Sequence, residues 1–325
     1  MKNHKCVTFA LLMLMLAGIA PAWSQPYPNK PIRLVIPYPP GGVDVIMRIV
    51  QQQAEKELGQ SLVVDYRPGA GGQIGQDYAA RSAPDGYTLL ATVTNPWINL
   101  PILRKSTPYD PLKDFTPITL LLEGGNLIVS APSFGPSNLR ELLAYAKANP
   151  GRVSYATSGI GGAQHLDAEN ISRLAGVPLL HVPFQGFGPM IAPLLSGQVS
   201  IGFINLNAVS GMVKAGKLKI LGVVDKTRPA VLSGDVQMMA EVLPGFVVMP
   251  VWVAIAGPAG LPRPIVNRVN DAFIKALNAP EVRARYRADG FEIIAAGPDE
   301  FAVKLKSDFE RIRSAIQAAG IPPLD

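Results

Sequence analysis

The sequence predicts an α/β fold, and two observations carry that expectation. Short apolar runs of strand length alternate with stretches of helical period from residue 32 to residue 318. Three of those runs end in a glycine-rich loop that leads into a helix: IRLVI into PYPPGGVD, LVV into YRPGAGGQIG, and RVS into YATSGIGGAQHL. Alternation of this kind predicts largely parallel sheets flanked by helices. At 325 residues the chain is long enough for two domains, each with its own core.

The first stretch is not part of that fold. Lys2 and Lys5 precede an apolar run from Phe9 to Ala20, and the small-residue segment Ala20-Pro-Ala-Trp-Ser-Gln25 follows. This pattern predicts a cleaved secretory signal over 1–24, cut near Ser24 or Gln25, and a periplasmic product; release outside the cell would fit the same signal. Cys6, the single cysteine, lies before the apolar run, so the exported chain is expected to have no disulfide and no cysteine nucleophile or metal ligand. No later run approaches the length of about 18 apolar residues that spans a bilayer, so the product is expected to be soluble. Removing Lys2 and Lys5 from the 30 basic residues leaves 28 against 24 acidic ones, a net of +4. The excess is dispersed: Arg283, Arg285 and Arg287 are interrupted by Glu281 and Asp289. Nucleic acid is therefore not an expected partner, whereas anionic small molecules are compatible with the balance.

The elements follow in order. Ile32 to Ile36 reads as a buried strand, and Ile46, Ile49, Val50 and Leu58 repeat along one side of a helix over 44–58. Between them, Pro39 and Pro40 stiffen the corner while Gly41 and Gly42 leave its backbone bare. Leu62 to Asp65 is the next strand, then a helix over 73–82 and a strand from Thr88 to Val93. Pro136, Ser137 and Asn138 start a helix over 137–148 that Asn149-Pro150-Gly151 stops. Strands from Val153 to Ala156, Val199 to Ile204, Lys219 to Val224 and Trp252 to Ile255 alternate with helices over 164–175, 187–196, 263–278 and 298–318.

The three loops carry the chemistry. Glycine permits positive φ and lets a ligand approach without a Cβ in the way. The helix behind each loop points unpaired N–H groups and its positive dipole end at the loop, which suits a carboxylate or a phosphate. Such loops also make plain corners in many α/β proteins, so one alone decides nothing; two with Gly-Gly from distant parts of the chain point to a shared site. The middle loop is not a dinucleotide fingerprint, because counting from Gly69 puts Ile74 where the last glycine of G-x-G-x-x-G belongs. No P-loop lysine motif occurs either.

Longer motifs carry a family resemblance. YPNKPIRLVIPYPPGGVDVIMR, DYRPGAGGQIGQDYAARSAPDGYTLL, TPYDPLKDFTPIT, YAKANPGRVSYATSGIGGAQHL, HVPFQGFGPMIAPLLSGQVSIGFINL and APAGLPRPIVNRVNDAF stand collinearly over the whole chain after the signal. The sequence resembles the tripartite tricarboxylate transporter substrate-binding proteins, also called the Bug family. The resemblance implies a two-lobed type II periplasmic binding protein fold, each lobe a mostly parallel sheet flanked by helices. With Gly124-Gly125 and Gly245 to Pro250 as junctions, it places lobe 1 at 26–125 plus 251–325 and lobe 2 at 126–250, with the ligand cleft between them. It implies a solute-binding protein, not an enzyme, that captures a small carboxylate largely through backbone amides and ordered water. Its partners would be the membrane components of a tripartite tricarboxylate-type transporter; no cofactor is implied, and a monomer is expected.

Mapped onto this sequence, the candidate ligand-binding residues are Tyr38, Pro40, Gly41, Gly42 and Asp44 in the first loop, and Thr92 and Asn95 at a strand end. The second lobe adds Thr157, Ser158, Gly159, Gly161, Gly162, Ala163, His165, Phe184, Gln185, Gly186 and Asn205. Asp44 fits a helix N-cap better than an anion contact. His165, one turn into its helix, fits packing better than solute contact, and Glu169 alone makes no metal site with it. The sequence departs from the family at five places, among them GGVD, one residue short of the usual loop, and Gly162, Gln185 and Ile204, which stand where relatives carry Thr, Lys and Asp. Phe184 likewise replaces a tyrosine. These changes predict a less ionic pocket, suited to a monocarboxylate with an aromatic or aliphatic body or to an amino acid, and not to a tricarboxylate. Two other functions compete. A hydrolase would need more than His165, His181 and a Ser158 outside any G-x-S-x-G elbow. A sensor role, with the closed form docking on a histidine-kinase ectodomain, would use the same pocket.

Overall fold

The computed structural model describes residues 27–319 with 323 and 324; the expected signal over 1–24 and Cys6 lie outside them. The chain runs through β1 (Ile32–Ile36), α1 (Val43–Leu58), β2 (Leu62–Tyr66), α2 (Gln73–Ala80) and β3 (Thr88–Val93). A π-turn at Asn95–Asn99 continues into the short α3 (Leu100–Leu103), and β4 (Phe115–Glu123) follows. Next come β5 (Asn126–Ser130), α4 (Leu139–Ala148), β6 (Ser154–Thr157), α5 (Ala163–Ala175), β7 (Leu180–Pro183), α6 (Ile191–Leu195), β8 (Ile201–Asn205), α7 (Leu206–Lys214) and β9 (Lys219–Val223). After α8 (Met239–Val242) the chain ends with β10 (Trp252–Pro258), α9 (Arg263–Asn278), α10 (Pro280–Ala288), β11 (Glu292–Ala296) and α11 (Pro298–Ala319).

Two sheets result, ordered β11-β4-β10-β3-β1-β2 and β7-β6-β8-β5-β9. Between the named strands, parallel pairing joins β1 to β2 and β3, and β6 to β7 and β8. The remaining pairs are antiparallel, so both sheets are mixed where mostly parallel ones were expected. The reason is the junction between the sheets. Strands such as β3, β4 and β8 run toward it, whereas β5 and β10 enter their sheets from it and must run away.

The chain passes from β4 to β5 through Gly124 and Gly125 alone, at φ 91° and 93°. Asp225, just past β9, secures this crossing: its Oδ2 accepts from Gly125 N at 2.6 Å, and a Cβ on Gly124 would lie 2.5 Å from the same oxygen. Both residues are glycine for their backbone angle, and Gly124 for space as well.

Amphipathic helices cover the sheets. α1 buries Val43, Ile46, Met47, Val50, Ala54 and Leu58, and α9 adds Val269, Phe273 and Leu277 to the same core. On the other face α11 inserts Phe301, Leu305, Phe309, Ile312 and Ile316 beside Trp97 and Trp252. Trp97, Trp252 and Phe301 meet edge to face at centroid distances of 5.4 to 5.8 Å, and Trp252 Nε1 donates to buried Asp308 at 3.1 Å. Ala163 and Leu166, from the start of α5, belong to that core as well, so the second sheet's helix leans on the first sheet's layer. Among the described residues no helix is long and apolar enough to cross a membrane.

Candidate functional site

The first loop joins β1 to α1 at the junction end of the first sheet. Gly41 and Gly42 take φ 106° and 48°, and a Cβ on either would meet nothing within 4 Å. The backbone there is bare and approachable. Tyr38, half-buried beside it, donates to Gly71 O at 3.2 Å. Asp44 is not the N-cap that the sequence led us to expect: α1 begins one residue earlier, with Gly42 as its cap. The Asp44 carboxylate, almost fully buried, accepts from Arg48 Nε at 3.1 Å and from Tyr66 OH at 2.6 Å. Burial works to raise its pKa, but the Tyr66 and Arg48 bonds outweigh it and hold the group below its ordinary value. It stays charged and committed to Arg48 and Tyr66.

The middle glycine-rich loop has a different job. Cβ positions on Gly71, Gly72 and Gly75 are taken up by Leu100 at 2.7 Å, Pro96 at 3.0 Å and Arg67 O at 2.8 Å. Its glycines allow close packing against the segment from Asn95 to Leu100 and leave no open backbone cradle. Thr92 is likewise internal: fully buried, it donates to Gln76 Oε1 at 2.9 Å. Asn95 stands closer to the junction, with its Oδ1 buried and without a partner; Gln76 Nε2 and Asn99 Oδ1 are in the same condition. Asn95 was expected from its place at the strand end; Gln76 and Asn99 were not, since nothing in GGQIGQD or PWINL marks them.

The second-sheet loop runs from Thr157, at the end of β6, to the start of α5. Thr157 Oγ1 donates to Gly159 O at 3.0 Å and meets His181 Nε2 at 2.7 Å. Gly159, at φ 154°, has only Phe184 O near its open side, at 3.9 Å, and Gly186 has nothing within 4 Å. Gly186 N donates to Ser158 O at 3.1 Å and Phe184 N to Thr157 O at 3.0 Å, which ties the two segments into one surface. Ser158 is half-exposed on that surface, Phe184 is half-buried and Gln185 is exposed. Gly162 caps α5 without a side chain, and Ala163 is buried in the first sheet's core. Ile204 is fully buried in the second sheet's core. Asn205 turns to the crossing, its Nδ2 donating to Gly124 O at 3.3 Å.

His165 is buried, as its position suggested, yet it touches the loop. Its Nδ1 accepts from Gly161 N at 3.1 Å, its ring stacks on His181 at 4.1 Å, and Nε2 lies 3.8 Å from Glu169. Burial lowers its pKa, opposed by the Glu169 charge. His181, sandwiched also by Tyr155 at 4.7 Å, is pushed down to about 4 by burial and by the neighbouring His165. Both rings are neutral at physiological pH. Among the described residues no group of three His, Cys, Asp or Glu side chains could hold a metal ion.

Two mixed sheets flanked by helices and joined through Gly124 and Gly125 make a two-lobed α/β fold. The solved periplasmic binding protein BugD shares it, with a TM-score of 0.82 and 30% identity, covering 91% of this chain and 99% of that one. The chain belongs to the tripartite tricarboxylate transporter family of receptors, whose domain matches residues 46–321. Protein BugT of Bordetella pertussis is 32% identical over 313 residues, 95% of each chain. R. palustris Rpa4515, solved with adipate, is similar at TM-score 0.86 and 28% identity over 92% of this chain and 100% of its own. MatC from Rhodopseudomonas palustris, solved with bound malate, gives 0.80 and 29% over 89% and 100%.

Proposed function

We propose that the protein is a periplasmic solute-binding protein that holds a small carboxylate between its two lobes and presents it to the membrane components of a tripartite tricarboxylate-type transporter. The observation that carries this reading is the pair of bare backbone surfaces at the junction: Gly41 and Gly42 on one side, Gly159 and Gly186 on the other. Loop N–H groups at the starts of α1 and α5 give an anion donors and the favourable ends of two helix dipoles. The segments Tyr38–Val43 and Thr157–Gly162 contain no charged side chain, so an anion there would be met by backbone, hydroxyl and amide groups. That two relatives were solved with adipate and malate supports the carboxylate class.

The lobes are 26–125 with 251–325, and 126–250, hinged at Gly124-Gly125 and in the segment leading to β10. The solute is a monocarboxylate with an aromatic or aliphatic body, because Phe184 and Gln185 replace a hydroxyl and a cation on the second surface. Native mass spectrometry of gently purified protein, followed by denaturation, tests the reading through the small molecule released. A titration panel of benzoate, hexanoate, malate, adipate and citrate tests the class. Binding of citrate alone would refute the monocarboxylate, and a chemically altered ligand would refute a binding role.

A further inference from the structure

We infer that Asn99 and His165 are positioning residues for solute capture, gripping the two polar backbone atoms of Gly161 from opposite lobes. This rests on the reading of the Thr157–Gly162 loop as solute-binding surface. Gly161 O accepts from Asn99 Nδ2 at 3.0 Å, and Gly161 N donates to His165 Nδ1 at 3.1 Å. Asn99 is fully buried and follows β3 of the first sheet, whereas Gly161 follows β6 of the second, so the bond spans the junction. A Cβ on Gly161, at φ 78°, would run into Leu103 from the first-sheet side. The loop therefore has this shape only while the segment from Asn99 to Leu103 is docked against it.

The histidines supply the other half. Accepting from Gly161 N requires an unprotonated Nδ1, which puts the His165 proton on Nε2. Its ring stacks on His181, whose Nε2 meets Thr157 Oγ1 at 2.7 Å, and that hydroxyl holds Gly159 O at 3.0 Å. One imidazole thus secures each end of the loop within its own lobe. Asn99 adds the bond that forms only on closure. The histidines thus order the loop amides within their own lobe, and the Asn99 bond adds to the closed form alone.

The test uses the full exported chain and whichever of benzoate, hexanoate, malate or adipate binds the wild type most tightly. For Asn99→Ala, stopped-flow kinetics should show dissociation about tenfold faster with association within about twofold, since one buried hydrogen bond of the closed form is lost. The unfolding midpoint of the ligand-free variant should match the wild type, while the ligand-induced rise in that midpoint shrinks. His165→Ala should weaken binding similarly, and His165→Asn, which keeps an acceptor near the Nδ1 position, should recover most of it. Unchanged dissociation in Asn99→Ala beside a wild type that binds would overturn the inference and leave the solute-binding reading standing. Equal losses in His165→Ala and His165→Asn would reduce His165 to packing and also overturn it. If none of the four acids binds the wild type, the carboxylate reading fails and the inference falls with it.

Discussion

Asp167 shows what a single side chain in this structure implies. It sits in α5, fully buried, with Oδ1 accepting from Met249 N at 2.9 Å and Oδ2 without a partner. Burial raises its pKa well above the ordinary 3.8, and the charge of Asp225 adds to that. In the unfolded chain the group ionises near 3.8, so stability falls as pH rises through that value toward the folded pKa. Asp167→Asn removes this dependence. Urea unfolding should find the variant more stable than wild type by about 1 to 3 kcal/mol at pH 7, with the difference closing below pH 4. His181 behaves in the opposite sense: its folded pKa of about 4 lies below the ordinary 6.5, so stability present above pH 6.5 is lost as pH falls toward 4. His181→Phe should flatten that acid limb in thermal melts between pH 4 and 7. Glycine roles were only partly legible at this scale. PPGGVD and GAGGQIG look alike as strings, and only the space around each Cβ position separates a bare loop from a packed one.

Among the elements, α11 makes the clearest prediction. It inserts Phe301, Leu305, Phe309, Ile312 and Ile316 beside Trp97 and Trp252, and removing one such aromatic typically costs about 3 to 5 kcal/mol. Deleting 298–325 should therefore unfold the first lobe outright, seen as loss of near-UV circular dichroism from the buried tryptophans and rapid proteolysis. Helices with a strong apolar stripe, α1, α4, α5, α9 and α11, were legible because their periodicity is imposed by the sheet they cover. β4 was not, since FTPITLLLE carries a proline and then an unbroken apolar run that alternation cannot reveal. α10 escaped for the reverse reason: PEVRARYRA buries only Val282 and Tyr286. The turn through Asn95–Asn99 has no periodic signal at all, and of its two buried amides only Asn95 was read from the sequence while Asn99 went unseen.

At the scale of the molecule, strand direction follows from a chain that must leave each lobe and return. The sequence showed the alternation of elements; it could not show that β5 and β10 enter from the junction and run against their neighbours. Under the proposed reading, the form with Asn99 bonded to Gly161 is the closed one. A ligand at about 100 times its Kd would stabilise the folded chain by about 2.7 kcal/mol, read as a concentration-dependent rise in Tm. Small-angle scattering should show the radius of gyration falling on addition of ligand, and an unchanged radius would count against closure. Gly124→Ala should weaken that response and lower stability by about 2 kcal/mol or more, because the new methyl meets the Asp225 carboxylate at a positive φ.

Under the proposed reading, the bare loops at Gly41, Gly42, Gly159 and Gly186 offer a ligand main chain instead of side chains. Main-chain atoms are not encoded by residue identity, so drift at neighbouring positions leaves the grip on an anion in place and alters only what surrounds it. Over evolutionary time such a receptor can change its cargo without losing its hold on the one group all its cargoes share. On that reading the same property sets a rule for redesign: vary Phe184 and Gln185 to change the solute, and leave the glycines alone.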